Sequence, residues 1–252
     1  MEGYVTRIDE VIDSHSHVYQ YRKEELDEYF SKDTPYIAIG VGEDYETSVS
    51  VLELASQYPG KIIPCVGLHP WNMKQAGELE DILSLAVSEQ VSCIGEVGLD
   101  KKFVEETYER QLEVFTRFLE FARENDVVLN LHAAGAWRDV FDLLIKYDVP
   151  KAVFHWYTGP IDLIKEIEYA GYYVSINAAI LIQEKSKRTA SATPMNIMLL
   201  ESDGPYNYRG LRLNPSYIPR AAEIIGSLKN VDPVSVIHAA NNNARLLFGI
   251  NS

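Results

Sequence analysis

Residues 92–132, SCIGEVGLDKKFVEETYERQLEVFTRFLEFARENDVVLNLH, read as a single strand–helix–strand unit. A short β-favouring apolar run, 92–97, leads to 105–124, where apolar residues recur at intervals of three and four, and then to a second run at 127–132. Two strands joined by a helix of this length are parallel. The same rhythm extends in both directions. Strand-like runs lie near 10–14, 35–41 and 61–68 before this unit, and at 151–155, 172–178 and 196–202 after it, which makes eight. Helical periodicity fills the gaps at 44–58 and 76–90, more weakly at 137–147, 161–170 and 183–190, and follows the last strand at 216–228 and 233–247. Eight alternating units are the number that closes a (β/α)8 barrel. No linker or composition break divides the chain, so residues 1–252 are read as one α/β barrel domain of the TIM type.

Composition limits the partners. The formal charge of −14, from 37 acidic against 23 basic residues, argues against broad electrostatic capture of duplex nucleic acid. A carboxylate-rich pocket could still attract anions locally if divalent cations occupied it. No apolar stretch is long enough to span a membrane, and the opening MEGYVTRIDE is charged where a secretory signal needs an apolar core, so the expected location is the cytoplasm. Cys65 and Cys93 each sit in an apolar segment without metal-like spacing and are expected to be reduced, buried thiols.

In a parallel barrel the loops after the strands build the site, so residues at the C-terminal strand ends carry the functional information. His15 and His17 end the first strand and share a face by the two-residue alternation, with Asp13 one layer deeper. Glu96 ends the fourth strand, His132 the fifth, His155 the sixth and Asp203 the eighth. Four of the six histidines therefore meet two carboxylates on one rim. Packing does not account for such a gathering, because every buried polar group needs a partner, whereas divalent metals satisfy all of them together. Mixed imidazole and carboxylate donors favour Zn²⁺ or Mn²⁺, with Mg²⁺ the harder alternative. By the same alternation Asp13 and Glu201 are expected beneath the ligands, where a carboxylate holds an imidazole N–H, and Asn130 beneath His132.

The segments DSHSH (13–17), GLHP (67–70), GEVGLD (95–100), HWYTG (155–159), ESDGPY (201–206), RGLRLNP (209–215) and NARLLFG (243–249) resemble, in order and spacing, the signatures of TatD-type metal-dependent deoxyribonucleases of the amidohydrolase superfamily. The resemblance implies two divalent ions. His15 and His17 would hold one, His132 and His155 the other, Glu96 would bridge them, and Asp203 would bind the first ion and orient or deprotonate the attacking water. Two cations roughly 3.5–4 Å apart lower the pKa of a water towards neutrality and stabilise charge on a phosphoryl oxygen. The implied reaction is hydrolysis of a small phosphoester or a single-stranded DNA end, with Asp203 and Glu96 as the catalytic carboxylates.

Where the family commonly has arginine two residues after the fifth-strand histidine, this chain has Ala134. An arginine clamps phosphate with two parallel hydrogen bonds, so its replacement favours an alternative, cleavage of an amide, lactone or ester in a small molecule on the same metals. His69 resembles a substrate-contacting histidine of the family, although Trp71 departs from the usual pattern after it. Arg209 is a candidate source of charge from the loop after strand eight, or a structural tie for that loop. Trp71 and Trp156 stand where rings stack on bases or cover the site; Trp137 reads as helix packing, and His238 as structural. A binding protein on an enzyme scaffold would show eroded ligands, and all six ligand positions are filled.

Overall fold

The computed structural model describes residues 9–251. Eight parallel strands surround a central axis: β1 (Val11–Ser16), β2 (Tyr36–Val41), β3 (Ile62–Cys65), β4 (Cys93–Gly98), β5 (Val128–His132), β6 (Lys151–Phe154), β7 (Tyr173–Asn177) and β8 (Met198–Glu201). Their hydrogen-bonded ladders run β1-β2-β3 and β4-β5-β6-β7-β8. Two narrower seams complete the barrel. At the first, a parallel bridge pairs Val66 with Ile94, and Gly95 N–H donates to Val66 O at 2.9 Å. At the second, Asp203 N–H donates to His15 O and His17 N–H to Gly204 O, both at 2.9 Å.

Cys65 and Cys93, expected as separate thiols, form a disulfide. They face each other across the first seam with Cα atoms 4.6 Å apart, a proximity that a sequence separation of 28 does not reveal.

The barrel is wrapped by α1 (Lys23–Phe30), α2 (Tyr45–Gln57), α3 (Leu79–Ser88), α4 (Tyr108–Asn125), α5 (Trp137–Lys146), α6 (Leu163–Tyr169), α7 (Glu184–Ala192), α8 (Ile218–Lys229) and α9 (Pro233–Phe248). Local chemistry sets their limits. Asp44 caps α2 by accepting from Thr47 N–H at 2.9 Å, and α9 starts with Asp232 followed by proline and stops at left-handed Gly249. α4 buries Gln111, Val114, Phe115, Phe118, Leu119 and Ala122, one face at the three-and-four spacing its sequence shows. Sequence periodicity missed α1 and a short hairpin, β9 (Asn207–Tyr208) with β10 (Leu211–Arg212), both inserted on the functional side of the barrel.

The main core lies between strands and helices, around Phe115, Phe118, Leu144 and Phe154. A second cluster fills the barrel floor. Ile12, Ile39, Cys65, Cys93, Val128, Val153 and Leu199 converge there from seven strands, sealed from below by Leu247 and Phe248 of α9. This dry floor leaves the opposite mouth for polar groups. No helix among the described residues is long and apolar enough to cross a membrane.

Candidate metal centre

Two breaks in strand register aim the key side chains. The β1–β2 pairing slips between Asp13 and Ser16, and the β4–β5 pairing slips between Ile94 and Val97. Such bulges re-aim side chains beside functional sites. The second places Glu96 at the centre of the mouth, and it needs glycine on either side. A Cβ on Gly95 would stand 2.7 Å from Asn130 Cβ, and one on Gly98, where φ is +145°, would stand 1.9 Å from His132 O.

Around Glu96 the imidazoles divide into two sets. Oε2 lies 3.4 Å from His15 Nε2 and 3.6 Å from His17 Nε2, and Asp203 Oδ1 closes that side at 3.5 and 3.2 Å from the same two nitrogens. Oε1 lies 2.8 Å from His132 Nδ1, 3.0 Å from His155 Nε2 and 3.3 Å from His69 Nε2. One carboxylate thus offers a different oxygen to each cluster.

The outer ring nitrogens show which atoms are left to bind. Asn130 Nδ2 donates to Ser14 O at 2.9 Å, so its Oδ1 is the acceptor 2.9 Å from His15 Nδ1. That hydrogen bond puts the proton on Nδ1 and turns the Nε2 lone pair towards Glu96 and Asp203. Likewise His132 Nε2 lies 2.9 Å from Asp100 Oδ2, which places the Nδ1 lone pair against Glu96 Oε1. Lone pairs facing carboxylate oxygens repel unless a positive charge lies between them. Among the described residues, His15 Nε2 and Asp203 Oδ1 are buried and make no hydrogen bond. The donor set and these orphaned atoms fit divalent metal.

The protonation tendencies express the same demand. Burial pushes His17 down, but the facing carboxylate of Asp203, with Glu96 and Glu43, prevails and raises it to about 9. Burial likewise opposes His155, yet Glu96 and Glu201 hold it well above the usual histidine value. Glu96, despite its burial, is held well below the carboxylate range by His69, His155, His15 and His132. Without metal, protons occupy the places between these groups.

Glu201 Oε1 lies 3.4 Å from His155 Nδ1 and accepts from Trp156 N–H at 2.8 Å and Asn177 Nδ2 at 3.1 Å. Asp13 stands elsewhere. Because of the β1 slip, Ser14 reaches across to Ser175 at 2.9 Å, while the Asp13 carboxylate accepts from Ser202 N–H at 2.8 Å and from the Ser202 hydroxyl. Asp13 therefore ties β1 to the end of β8 rather than touching an imidazole; burial pushes it up to about 8, against the Ser202 hydrogen bonds. Asn130 holds His15 rather than His132.

Backbone strain marks the same rim. Asp203 and Trp156 adopt left-handed φ values of +58° and +38°, conformations costing about 1–3 kcal/mol each in residues other than glycine. Each strained residue also makes an N–H bond into the site, to His15 O and to Glu201 Oε1.

A family model described as TatD related DNase matches residues 12–249. The chain belongs to this family. A metal-dependent hydrolase of Methanocaldococcus jannaschii, itself uncharacterised, is 28% identical over 230 residues, covering 88% of this chain and 90% of its own. Human deoxyribonuclease TATDN3 is 27% identical over 226 residues, 83% of this chain and 82% of that one. The crystal structure of a TatD homologue from Escherichia coli superposes with a TM-score of 0.83 at 23% identity, covering 97% of this chain and all of the other, and shares the barrel fold. The chain is a metal-dependent hydrolase of the TatD family, and its clustered donors are suited to divalent metal.

Above the TatD-type cage opens a cleft of about 710 Å³, whose lining includes His17, His69, Glu96, His132, His155 and Asp203. Arg209 does not line it; this residue sits in the β9–β10 turn with its guanidinium 5.3 Å from the Tyr208 ring centroid. The arginine that ties the loop down is Arg212, paired with Glu25 of α1. His69 accepts from Trp71 N–H through Nδ1 at 3.1 Å, leaving the proton on Nε2, which points at Glu96 and His132. Burial lowers its pKa, against the pull of Glu96, so it enters the cage as a neutral donor.

Sequence reasoning overlooked two carboxylates. Asp100 accepts from Trp71 Nε1 at 2.6 Å and from the N–H groups of Lys102 and Phe103 at 2.7 and 2.8 Å, besides facing His132. Burial opposes its ionisation, but these partners lower its pKa to about 2. Its signal was present: Asp100 ends the GEVGLD segment at the same parity as Glu96. Glu43, just beyond β2, forms a further close group with His17 and Glu96 and accepts from the Tyr19 hydroxyl. A lone acid in a loop carries no comparable signal.

Proposed function

We propose that this protein hydrolyses phosphodiesters, acting on single-stranded DNA ends or small phosphoesters, with two divalent ions. The observation that carries the reading is the division of Glu96, one oxygen facing His15, His17 and Asp203 and the other facing His132 and His155. His15, His17 and Asp203 would hold one ion, His132 and His155 the other, with Glu96 shared. The ions would supply an activated water and positive charge against the phosphoryl oxygens, with Zn²⁺, Mn²⁺ or Mg²⁺ as candidates.

The remaining work falls to the chain. The buried Asp203 carboxylate, beside the place of the first ion, receives the proton released by the attacking water. His69, with its proton held on Nε2 by the Trp71 N–H, donates to the oxygen on which charge develops. Asn130, Asp100 and Glu201 hold the rings of His15, His132 and His155. The relatedness to a human deoxyribonuclease supports a phosphodiester substrate.

A second reading, cleavage of a C–N or ester bond in a small molecule, draws on Ala134, which leaves no arginine clamp at the end of β5. Hydrolysis of bis-p-nitrophenyl phosphate and of a panel of amides and lactones, each with added Mn²⁺, Zn²⁺ or Mg²⁺, separates the two. The first reading expects turnover of the diester. Turnover of an amide or lactone alone establishes the second.

A further inference from the structure

We infer that Lys102 and Lys185 bind the phosphates flanking the scissile one, so that the cleft selects a single-stranded nucleic acid by charge at its rim and stacking on its walls. This rests on the phosphodiesterase reading above and specifies how that site recognises its substrate. The cleft faces an electrostatic deficit. The chain carries a formal charge of −14, and the cage itself is lined by Glu43, Glu96 and Asp203, so a polyanion needs local positive charge to approach. Among the described residues, Lys102 and Lys185 are the only lysine or arginine side chains lining the cleft. Both are exposed, and neither forms an ion pair with a described carboxylate. Their neighbours differ: Lys101 is held by Asp139 at 2.8 Å and Lys187 by Glu184.

Lys102 also stands beside the place that Ala134 leaves open. Lys101 N–H donates to Ala134 O at 2.9 Å, and a Cβ on Gly135 would lie 3.3 Å from Lys102 N. The loop after β4 thus runs against the loop after β5, and the small residues 134 and 135 give it room to pass. The lysine ammonium lies 4.6 Å from the Phe103 ring centroid, close to the surface on which a base would stack.

The walls have matching character on each side of the cage. Trp71 and Phe103, with centroids 5.8 Å apart, form one exposed aromatic ledge. Trp156 with Tyr206 and Tyr208, at 6.0 and 5.2 Å, forms the other. The first carries Lys102; the second adjoins the start of α7, which carries Lys185, through the hydrogen bond from Trp156 Nε1 to Gln183 Oε1 at 3.0 Å. An aromatic ledge with a nearby ammonium that no described carboxylate pairs suits one nucleotide, base on ring and phosphate on amine. The rings within each ledge meet edge to face, at 71–77°, so one ring face at a time is offered to an unpaired base. Neither ledge reads base edges, so recognition is by stacking and charge, with little sequence preference.

Fluorescence anisotropy with a labelled phosphorothioate oligothymidylate of about eight residues tests this on the metal-loaded protein without turnover. Each of Lys102→Ala and Lys185→Ala should weaken binding and lower the slope of log affinity against log salt by about 0.7, the value for one phosphate contact on a single strand. Phe103→Ala should weaken binding with the slope unchanged. Hydrolysis by the wild-type protein of bis-p-nitrophenyl phosphate, a diester with no flanking phosphate, reads the chemistry separately from this recognition. Wild-type affinity and slope in the double lysine variant would overturn the inference, and with diester hydrolysis intact the function reading would survive. The predicted slopes without any diester hydrolysis would uphold the recognition site and count against the proposed chemistry alone.

Discussion

Asp100 Oδ2 lies 2.9 Å from His132 Nε2, with its other oxygen occupied by two backbone N–H groups. The carboxylate therefore cannot turn away, and the imidazole it holds presents Nδ1 to Glu96. Asp100→Asn keeps the shape and removes the charge. The expected outcome is a loss of about 10–100-fold in Mn²⁺ affinity, typical for a carboxylate behind a metal-bound imidazole, measured by calorimetric titration. Wild-type affinity would show that His132 is oriented by packing alone.

Asn130 does for His15 what Asp100 does for His132, but through a neutral amide anchored on Ser14 O. Asn130→Ala should weaken metal binding by a similar factor of about 10–100. It should also lower unfolding stability by about 1–3 kcal/mol, because a buried carbonyl loses its donor. Thermal or urea unfolding of the metal-free protein reads the second effect separately from the first.

His69 lies as close to Glu96 as His15 and His17 do and groups with Glu96 and His132. Its tautomer argues against ligation, since Nε2 carries the proton when Nδ1 accepts from Trp71 N–H. His69→Ala should leave metal stoichiometry unchanged and reduce kcat by about 10²–10³-fold, as removal of an oxyanion donor does elsewhere. Loss of one bound ion in this variant would make His69 a ligand instead.

The Glu25–Arg212 pair joins α1 to the hairpin beside the cleft. Arg212, with the Arg22 N–H, lowers Glu25 from 4.5 to about 2. A depressed carboxylate contributes stability that is complete above the unfolded pKa and disappears as pH falls through the folded one. Glu25→Gln should therefore cost about 1 kcal/mol near neutrality, the scale of a partly exposed ion pair. That difference should shrink between pH 4.5 and 2 in unfolding measurements across the range.

The barrel was legible because its eight parallel strands and the helices other than α1 announce themselves by period, and the count of eight does the rest. The six rim residues were legible for a related reason: they end strands, and strand ends of a barrel converge. What escaped depends on contacts that periodicity does not encode. Parity misplaced Asp13 and Asn130 because β1 slips register, an event visible only in the pairing. The Cys65–Cys93 bond depends on two strands meeting at a seam. Glu43 lies in a loop, where no period marks it, whereas Asp100 carried a parity signal that ended just beyond its strand. Arg209 and Arg212 are three positions apart in one hairpin, and only the fold tells which one reaches α1.

Anomalous scattering from crystals grown with Mn²⁺ tests the central claim most directly. Two peaks are predicted, one against His15, His17 and Asp203 and the other against His132 and His155, with Glu96 in contact with both. A single peak, or a Glu96 carboxylate touching only one ion, would contradict the account.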